Sequence, residues 1–354
     1  MPESPTSKAR AHVTMQDVAR QTGVSAQTVS NVINGRTDRV GTETTQRVID
    51  AIDELGYRLN QSARSLRKGR TGMVGLGLPV LASEYYGELA ERLAHRFADR
   101  GIRLVTEKTG GALSAEVESL AASHLETYDG FILAIAASES TDLNKILPTK
   151  PIVLLGERAL STRFDHVLMD NVEGGRAATA HLLDRGARSI IALGGSAADG
   201  DSVQTLRARG FVQAHRDRSL PAPDSRIVAS GLDIADGYQT VRRLLTEGRP
   251  FDAIFALTDS CAFGAMRALH ESDLRVPDDV QIVGFDNVRA GAFSTPSLTS
   301  IEPGNDEMAD AIVEVMMARL SSPLRPRDPQ RVMPAITLVE RETTLSREVD
   351  SVAS

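Results

Sequence analysis

The chain has 354 residues, 41% of them hydrophobic and 25% charged, with a formal net charge of −7 and one cysteine, Cys261. The length allows about two to three domains; the lone cysteine rules out an internal disulfide framework and a Cys-based zinc site. No apolar run reaches the roughly 18 residues of a membrane span, and the polar opening MPESPTSKARAH lacks a signal-peptide core, so a cytoplasmic location is expected. Charge is uneven along the chain. The first 70 residues hold 11 Lys and Arg against 7 Asp and Glu, and the remainder hold 29 against 40. A basic end on an acidic body suggests a small nucleic-acid module joined to a different domain.

Thr14 is placed to cap a helix from about Met15, with Asp17 in the first turn where an acid favours a helix N-terminus. Gly23 stops that helix by adopting positive φ, and Ser25 caps a second one at once. Val18 and Ala19 give the first an apolar side, and Val29, Val32 and Ile33 line the second. Two short helices around a tight Gly turn form a helix-turn-helix at about 15–34, whose second helix belongs in the major groove. Within GVSAQTVSNVING the outward face holds Ser25, Ala26, Gln27, Ser30 and Asn31, almost without formal charge. A solvated face would carry Glu–Lys pairs. Base edges instead present neutral donors and acceptors. Gln27 and Asn31 are four apart and project from one side, so either amide can pair with N6 and N7 of adenine. Ala26 permits close approach or touches a thymine methyl, and Ser25 and Thr28 can reach phosphate. A third helix is expected from about Thr42 to Leu55, with Val48, Ile49, Ile52 and Leu55 at helical spacing and Gly56 as its stop. In YRLNQSARSLRKGR, Asn60 can cap a short helix carrying Ala63 and Leu66, while Arg64, Arg67, Lys68 and Arg70 suit phosphates.

The run VTMQDVARQTGVSAQTVSNVING, followed by RVIDAIDELGY and by Asn60, Ala63, Arg64 and Leu66 at matching spacing, resembles the LacI family of bacterial transcription regulators. The resemblance is strongest over residues 13–66 and extends over nearly the whole chain. It implies a homodimer on a near-palindromic double-stranded operator, acting most often as a repressor. It also implies a hinge helix in the minor groove, with Leu66 as the wedge at the central base step and Ala63 packed beside it. Leu59 departs from the family's usual proline, and Asn31 stands where many members carry arginine.

Beyond Met73 the pattern changes. Near-continuous apolar runs at 73–78, 102–107, 130–136, 151–156, 189–195, 252–258 and 280–286 alternate with amphipathic stretches, which predicts parallel sheets covered on both faces. Ligands in such sheets bind at the carboxyl ends of strands. The resemblance implies a two-lobed, periplasmic-binding-protein-like domain over 71–345, with three crossings between lobes. The first lobe would be 72–170 and 297–327, the second 171–296 and 328–345. The expected fold class is thus a small all-α helix-turn-helix domain (12–59), a hinge and linker (60–70), and this α/β domain. An effector would occupy the cleft, a sugar or sugar derivative in the first place and a purine in the second. The resemblance points to Arg207 as a clamp for hydroxyls or a carboxylate, and to Asp286 as an acceptor. It also points to Thr258 and Asp259 in place of the usual Asn-Asp, and to Tyr85 and Tyr86 as flanking aromatics; Glu157 is a weaker candidate. No heptad repeat closes the C-terminus, so a tetramer is not expected.

Nothing suggests catalysis, a cofactor or a metal. GLG at 75–77 lacks a dinucleotide fingerprint, the histidines show no HExxH spacing, and GGS at 194–196 lacks the GxSxG frame. From the residues alone two other readings stay open: a soluble small-molecule receptor that acts through a protein partner, and a DNA-tethered enzyme acting on a sugar.

Overall fold

The structure, a computed structural model, describes residues 13–57, 70–137, 140–156, 163–198, 200–221, 224–322 and 328–344. The chain divides into two compact units, Met1–Gly69 and Arg70–Ser354.

The first unit contains α1 (Met15–Thr22), α2 (Ala26–Ile33) and α3 (Thr42–Leu55). Local chemistry sets each boundary. The Thr14 hydroxyl accepts from the Asp17 N–H while the Asp17 carboxylate accepts from the Thr14 N–H at 2.9 Å, a reciprocal cap. Gly23 then turns the chain at φ 69°, where a side chain would be strained. Ser25 accepts from the Thr28 N–H at 3.1 Å and starts α2. Val18, Val29 and Val48 are fully buried at the centre, with Ala19, Val32 and Ala51 around them. Ile49, expected on the inner face, is 40% exposed. The α3 stripe runs through Val48, Ala51, Ile52 and Leu55, which puts Ile49 a quarter turn off the seam.

The second unit is built on two six-stranded sheets. Its strands are β1 (Met73–Leu78), β2 (Arg103–Lys108), β3 (Gly130–Ala134), β4 (Ile152–Gly156), β5 (Asp165–Leu168) and β6 (Ile190–Leu193). They continue with β7 (Ile227–Val228), β8 (Ala253–Ala256), β9 (Gln281–Phe285), β10 (Thr299–Glu302), β11 (Arg331–Val332) and β12 (Thr337–Val339). The first sheet runs β2-β1-β3-β4-β5-β11 and the second β7-β6-β8-β9-β10-β12, with every pairing parallel except β10 with β12. The central strands β3 and β9 are buried throughout, which is why they read as unbroken apolar runs. The principal helices are α4 (Glu84–Ala98), α5 (Asn171–Asp184), α6 (Val203–Asp217), α7 (Ile234–Thr246), α8 (Asp259–His270) and α9 (Asn305–Ser321).

The expected crossing points between lobes need correction. β10 pairs with β9 and so belongs to the second sheet, and the chain crosses after Glu302 and not before 297. β11 pairs with β5 and returns to the first sheet, and β12 goes back to β10 in the second. The buried Thr299, Ser300 and Ile301 are held in the second lobe by this pairing, which local sequence does not reveal.

Glycine lets the helices of the second lobe touch backbone to backbone. A Cβ at Gly175 would lie 2.3 Å from the Arg207 carbonyl oxygen, and one at Gly210 would lie 2.2 Å from that of Val172. The α7–α8 pair repeats the arrangement, with Gly264 aimed at the Ile234 carbonyl at 2.0 Å. These crossings fix where α6, α7 and α8 begin, and all three begin at the same rim of the second sheet.

Candidate functional site

Two surfaces concentrate the sequence-predicted site residues. On α2, Ser25, Ala26 and Gln27 are exposed, and Thr28, Ser30 and Asn31 are half-buried. The Gln27 Nε2 donates to Asn31 Oδ1 at 3.2 Å, so the two amides are held as a pair along the helix. Ser25 and Thr28 hydroxyls lie 3.0 Å apart at its start. The Asn34 amide closes the far end by donating to the Ser30 carbonyl at 2.5 Å. Five of the six predicted residues therefore lie on one eight-residue helix, and the sixth, Ser25, is its N-cap. Their neutral donors and acceptors match what base edges offer in a major groove. The hinge residues Asn60, Ala63, Arg64 and Leu66 lie outside the described residues, as does Glu157.

The second surface is a cleft of about 760 Å³ in the larger unit. It opens where the carboxyl ends of both sheets converge, the position at which parallel sheets bind ligands. The segments after β1 and β3 and the carboxyl end of β4 line it from one side, and the starts of α6, α7 and α8 line it from the other. Tyr85 and Tyr86, in the first turn of α4, stand edge to face with centroids 5.1 Å apart. Thr258 caps α8, accepting from the Cys261 N–H at 3.1 Å, and its hydroxyl donates to the Leu232 carbonyl at 2.8 Å. Asp286 follows β9 with φ 109°, a conformation few non-glycine residues adopt, and it faces the cleft floor.

Arg207 also lines the cleft, yet only 2% of it is exposed. Its Nε donates to Asn171 Oδ1 at 2.8 Å, Nη1 donates to the Leu257 carbonyl, and Nη2 donates to Asp286 Oδ1 at 3.3 Å and to the Met169 sulfur at 3.2 Å. Its guanidinium carbon sits 3.5 Å from the centre of the Phe285 ring. The side chain is thus a strut beneath the cleft as much as a wall of it.

Asp259 does not line the cleft. It is fully buried behind Thr258, where it accepts from the Ser300 hydroxyl at 2.6 Å and from the Val288 N–H at 2.8 Å. Burial above all, and then the Asp286 carboxylate, push its carboxyl well above the usual range, while the Ser300 and Val288 bonds oppose the shift. Asp259 ties the loop after β9 to α8, and that is the physical reason the expected ligand contact is absent.

Several lining residues escaped the sequence reading, among them Ser202, Gln204, Asp233 and Asp236. A signal existed. Ser202 and Asp233 are N-caps, accepting from the Thr205 N–H at 3.3 Å and the Asp236 N–H at 2.8 Å, and caps between a strand and a helix face the carboxyl rim by construction. The lobes also touch directly. The Ser260 hydroxyl donates to Glu84 at 2.7 Å, and the Arg289 N–H donates to Glu88 at 2.7 Å, both acceptors being on α4. No helix among the described residues is long and apolar enough to cross a membrane.

A helix-turn-helix unit followed by a cleft between two parallel sheets defines a class of DNA-binding regulator that responds to a small molecule. Residues 14–60 match the lacI family of bacterial regulatory proteins, and residues 179–344 match a periplasmic binding protein-like domain. The ribose operon repressor of Escherichia coli K12 is 30% identical over 331 residues, covering 93% of this chain and 98% of the repressor. Among solved structures, a lac repressor dimer bound to operator and the anti-inducer ONPF aligns with TM-score 0.75 at 26% identity, over 95% of this chain and all of that one. The complex of the transcriptional regulator CelR with cellobiose aligns with TM-score 0.66 at 27% identity, over 94% and 99% of the two chains. The chain belongs to the LacI family, and it is a DNA-binding transcription regulator with an effector-binding domain.

Proposed function

We propose that this protein is a homodimeric, cytoplasmic repressor that acts by binding alone and whose hold on a near-palindromic operator is set by a small carbohydrate in the cleft. The observation that carries this reading is the combination, in one chain, of an uncharged amide-bearing α2 and a cleft of about 760 Å³. In the division of labour, residues 12–59 read DNA, 60–70 link and contribute Asn60, Ala63, Arg64 and Leu66 to the minor groove, and 71–345 bind effector and dimerise. Gln27 and Asn31 read base edges; Ser25, Thr28 and Ser30 position the helix on phosphate and sugar; Ala26 allows close approach. Tyr85, Tyr86, Thr258 and Asp286 contact the effector, and Arg207 holds Asp286 in place.

Relatives support a sugar effector. One is named for a ribose operon, and another is solved with cellobiose. The mechanism is a coupling free energy between cleft and operator, typically about 1–3 kcal/mol in such systems. Selection of duplexes from a random pool tests the reading. The expected product is one enriched, near-palindromic site whose affinity shifts when carbohydrate is added. A pool with no enriched sequence even at low salt contradicts it and favours a protein partner.

A further inference from the structure

We propose that the cleft discriminates by charge: its effector is an uncharged or amino carbohydrate, and the phosphorylated or carboxylated forms of the same sugar are excluded. The inference rests on the carbohydrate reading above and deepens it. Among the described residues that line the cleft, the charged side chains are Glu84, Asp233, Asp236 and Asp286 against the single cation Arg207. The carboxylates come from both lobes, Glu84 on α4 and the others from the second sheet's rim.

The one cation among these described residues is held by bonds within the protein. Each nitrogen of Arg207 already donates within the protein, to Asn171, to the Leu257 carbonyl, and to Asp286 and the Met169 sulfur. An incoming phosphate would have to displace Asp286 from a side chain that is only 2% exposed. Three of its neighbours around the rim are helix starts, which ordinarily welcome anions. Here each start already has one of its N–H groups engaged by a capping side chain. The α6 start is capped by Ser202, the α8 start by Thr258, and the α7 start by a carboxylate, Asp233. At α4 no side chain caps the helix, but Glu84 occupies its first turn. Among the described residues, each of these four helix starts therefore carries either a side-chain cap or a carboxylate in its first turn.

Hydroxyl groups are not repelled by these carboxylates, of which Glu84, Asp233 and Asp286 each already accept a bond within the protein. Carboxylates accept strongly from O–H donors, and an ammonium gains attraction from the same groups. The only aromatic lining among the described residues is the Tyr85–Tyr86 pair, set edge to face on one lobe. It offers one wall for a sugar or an ammonium to pack on and no opposite ring to sandwich a flat heterocycle.

The test is isothermal titration of the full-length chain with matched sets: ribose and ribose 5-phosphate; glucose, glucose 6-phosphate, glucuronate and glucosamine; galactose and galactosamine; cellobiose. The expected result is that at least one neutral or amino sugar binds, with its anionic counterpart weaker by about 100-fold or more, or about 2.8 kcal/mol. Glu84→Gln, checked for unchanged melting, narrows that gap because an amide oxygen still accepts from Ser260 without the charge. A sugar phosphate or sugar acid that binds as tightly as its neutral parent overturns the charge discrimination and leaves the carbohydrate reading standing. Failure of every compound at millimolar concentration overturns the carbohydrate reading, and the inference with it.

Discussion

At the scale of single residues, the two sites use polar side chains in opposite ways. On α2 the side-chain amides of Gln27 and Asn31 bond to each other, and among the described residues they have no other side-chain partner, which leaves donors and acceptors for a duplex. Gln27→Ala or Asn31→Ala is expected to weaken binding to the selected operator by about 1–3 kcal/mol while leaving non-specific affinity unchanged. Fluorescence anisotropy on operator and on scrambled duplex measures both, and equal loss on the two duplexes contradicts base reading. Arg207 is the contrary case, with its bonding capacity turned inward. Breaking its pair with Asp286 at 3.3 Å also leaves the Leu257 carbonyl without its donor and uncovers Phe285. Arg207→Ala is therefore expected to cost about 3–5 kcal/mol of stability. Urea unfolding of the second unit is the check. A variant of wild-type stability that merely fails to bind sugar would return Arg207 to the role of a simple ligand clamp. Arg207→Lys should also be destabilising, because an ammonium cannot reproduce a planar fork stacked on a ring.

At the scale of elements, helix pairs set the rim of the cleft by glycine-mediated contact. Gly264→Ala would place a methyl 2.0 Å from the Ile234 carbonyl and within 2.6 Å of the Tyr238 nitrogen. Backbone cannot yield as a side chain does, so α7 and α8 must separate, at about 1–3 kcal/mol or more. Gly87, exposed in α4 with nothing near its Cβ position, provides the control. Gly87→Ala should raise stability by about 0.5–1 kcal/mol, and opposite signs in thermal melts would confirm the contrast. What the sequence made legible follows the same distinction between local and non-local causes. Thr14, Gly23, Ser25 and Gly56 act on their immediate neighbours, so α1, α2 and α3 were readable from spacing alone. The long apolar strands were readable for the same reason. β5 was not, because DHVL has two polar residues in four, and β7 and β11 are only two residues long. The crossing after Glu302 depends on strand pairing between distant segments, which no local pattern encodes. Asp259 shows the limit for sites: beside Thr258 in sequence, it points into the protein and not the cleft because Ser300 and Val288 hold it there.

At the scale of the whole molecule, a basic reading unit and an acidic ligand unit are joined in one chain, and function requires that they communicate. The basic end should make operator binding fall steeply with salt, because each phosphate neutralised releases a counterion. The cleft should be insensitive to salt for a neutral sugar, where no charges are exchanged. Titrations of each site at two ionic strengths would separate them. Communication itself is reciprocal: if sugar changes operator affinity by some factor, operator must change sugar affinity by the same factor. The lobe-to-lobe bonds from Ser260 to Glu84 and from Arg289 to Glu88 are two contacts, among the described residues, that effector binding is expected to strengthen or break. The most direct measurement is operator affinity by anisotropy with and without a saturating amount of the sugar that binds in the titration panel. A change of at least about tenfold is expected, matched by an equal change in sugar affinity when operator is present. Identical operator affinity with the cleft full and empty would contradict it.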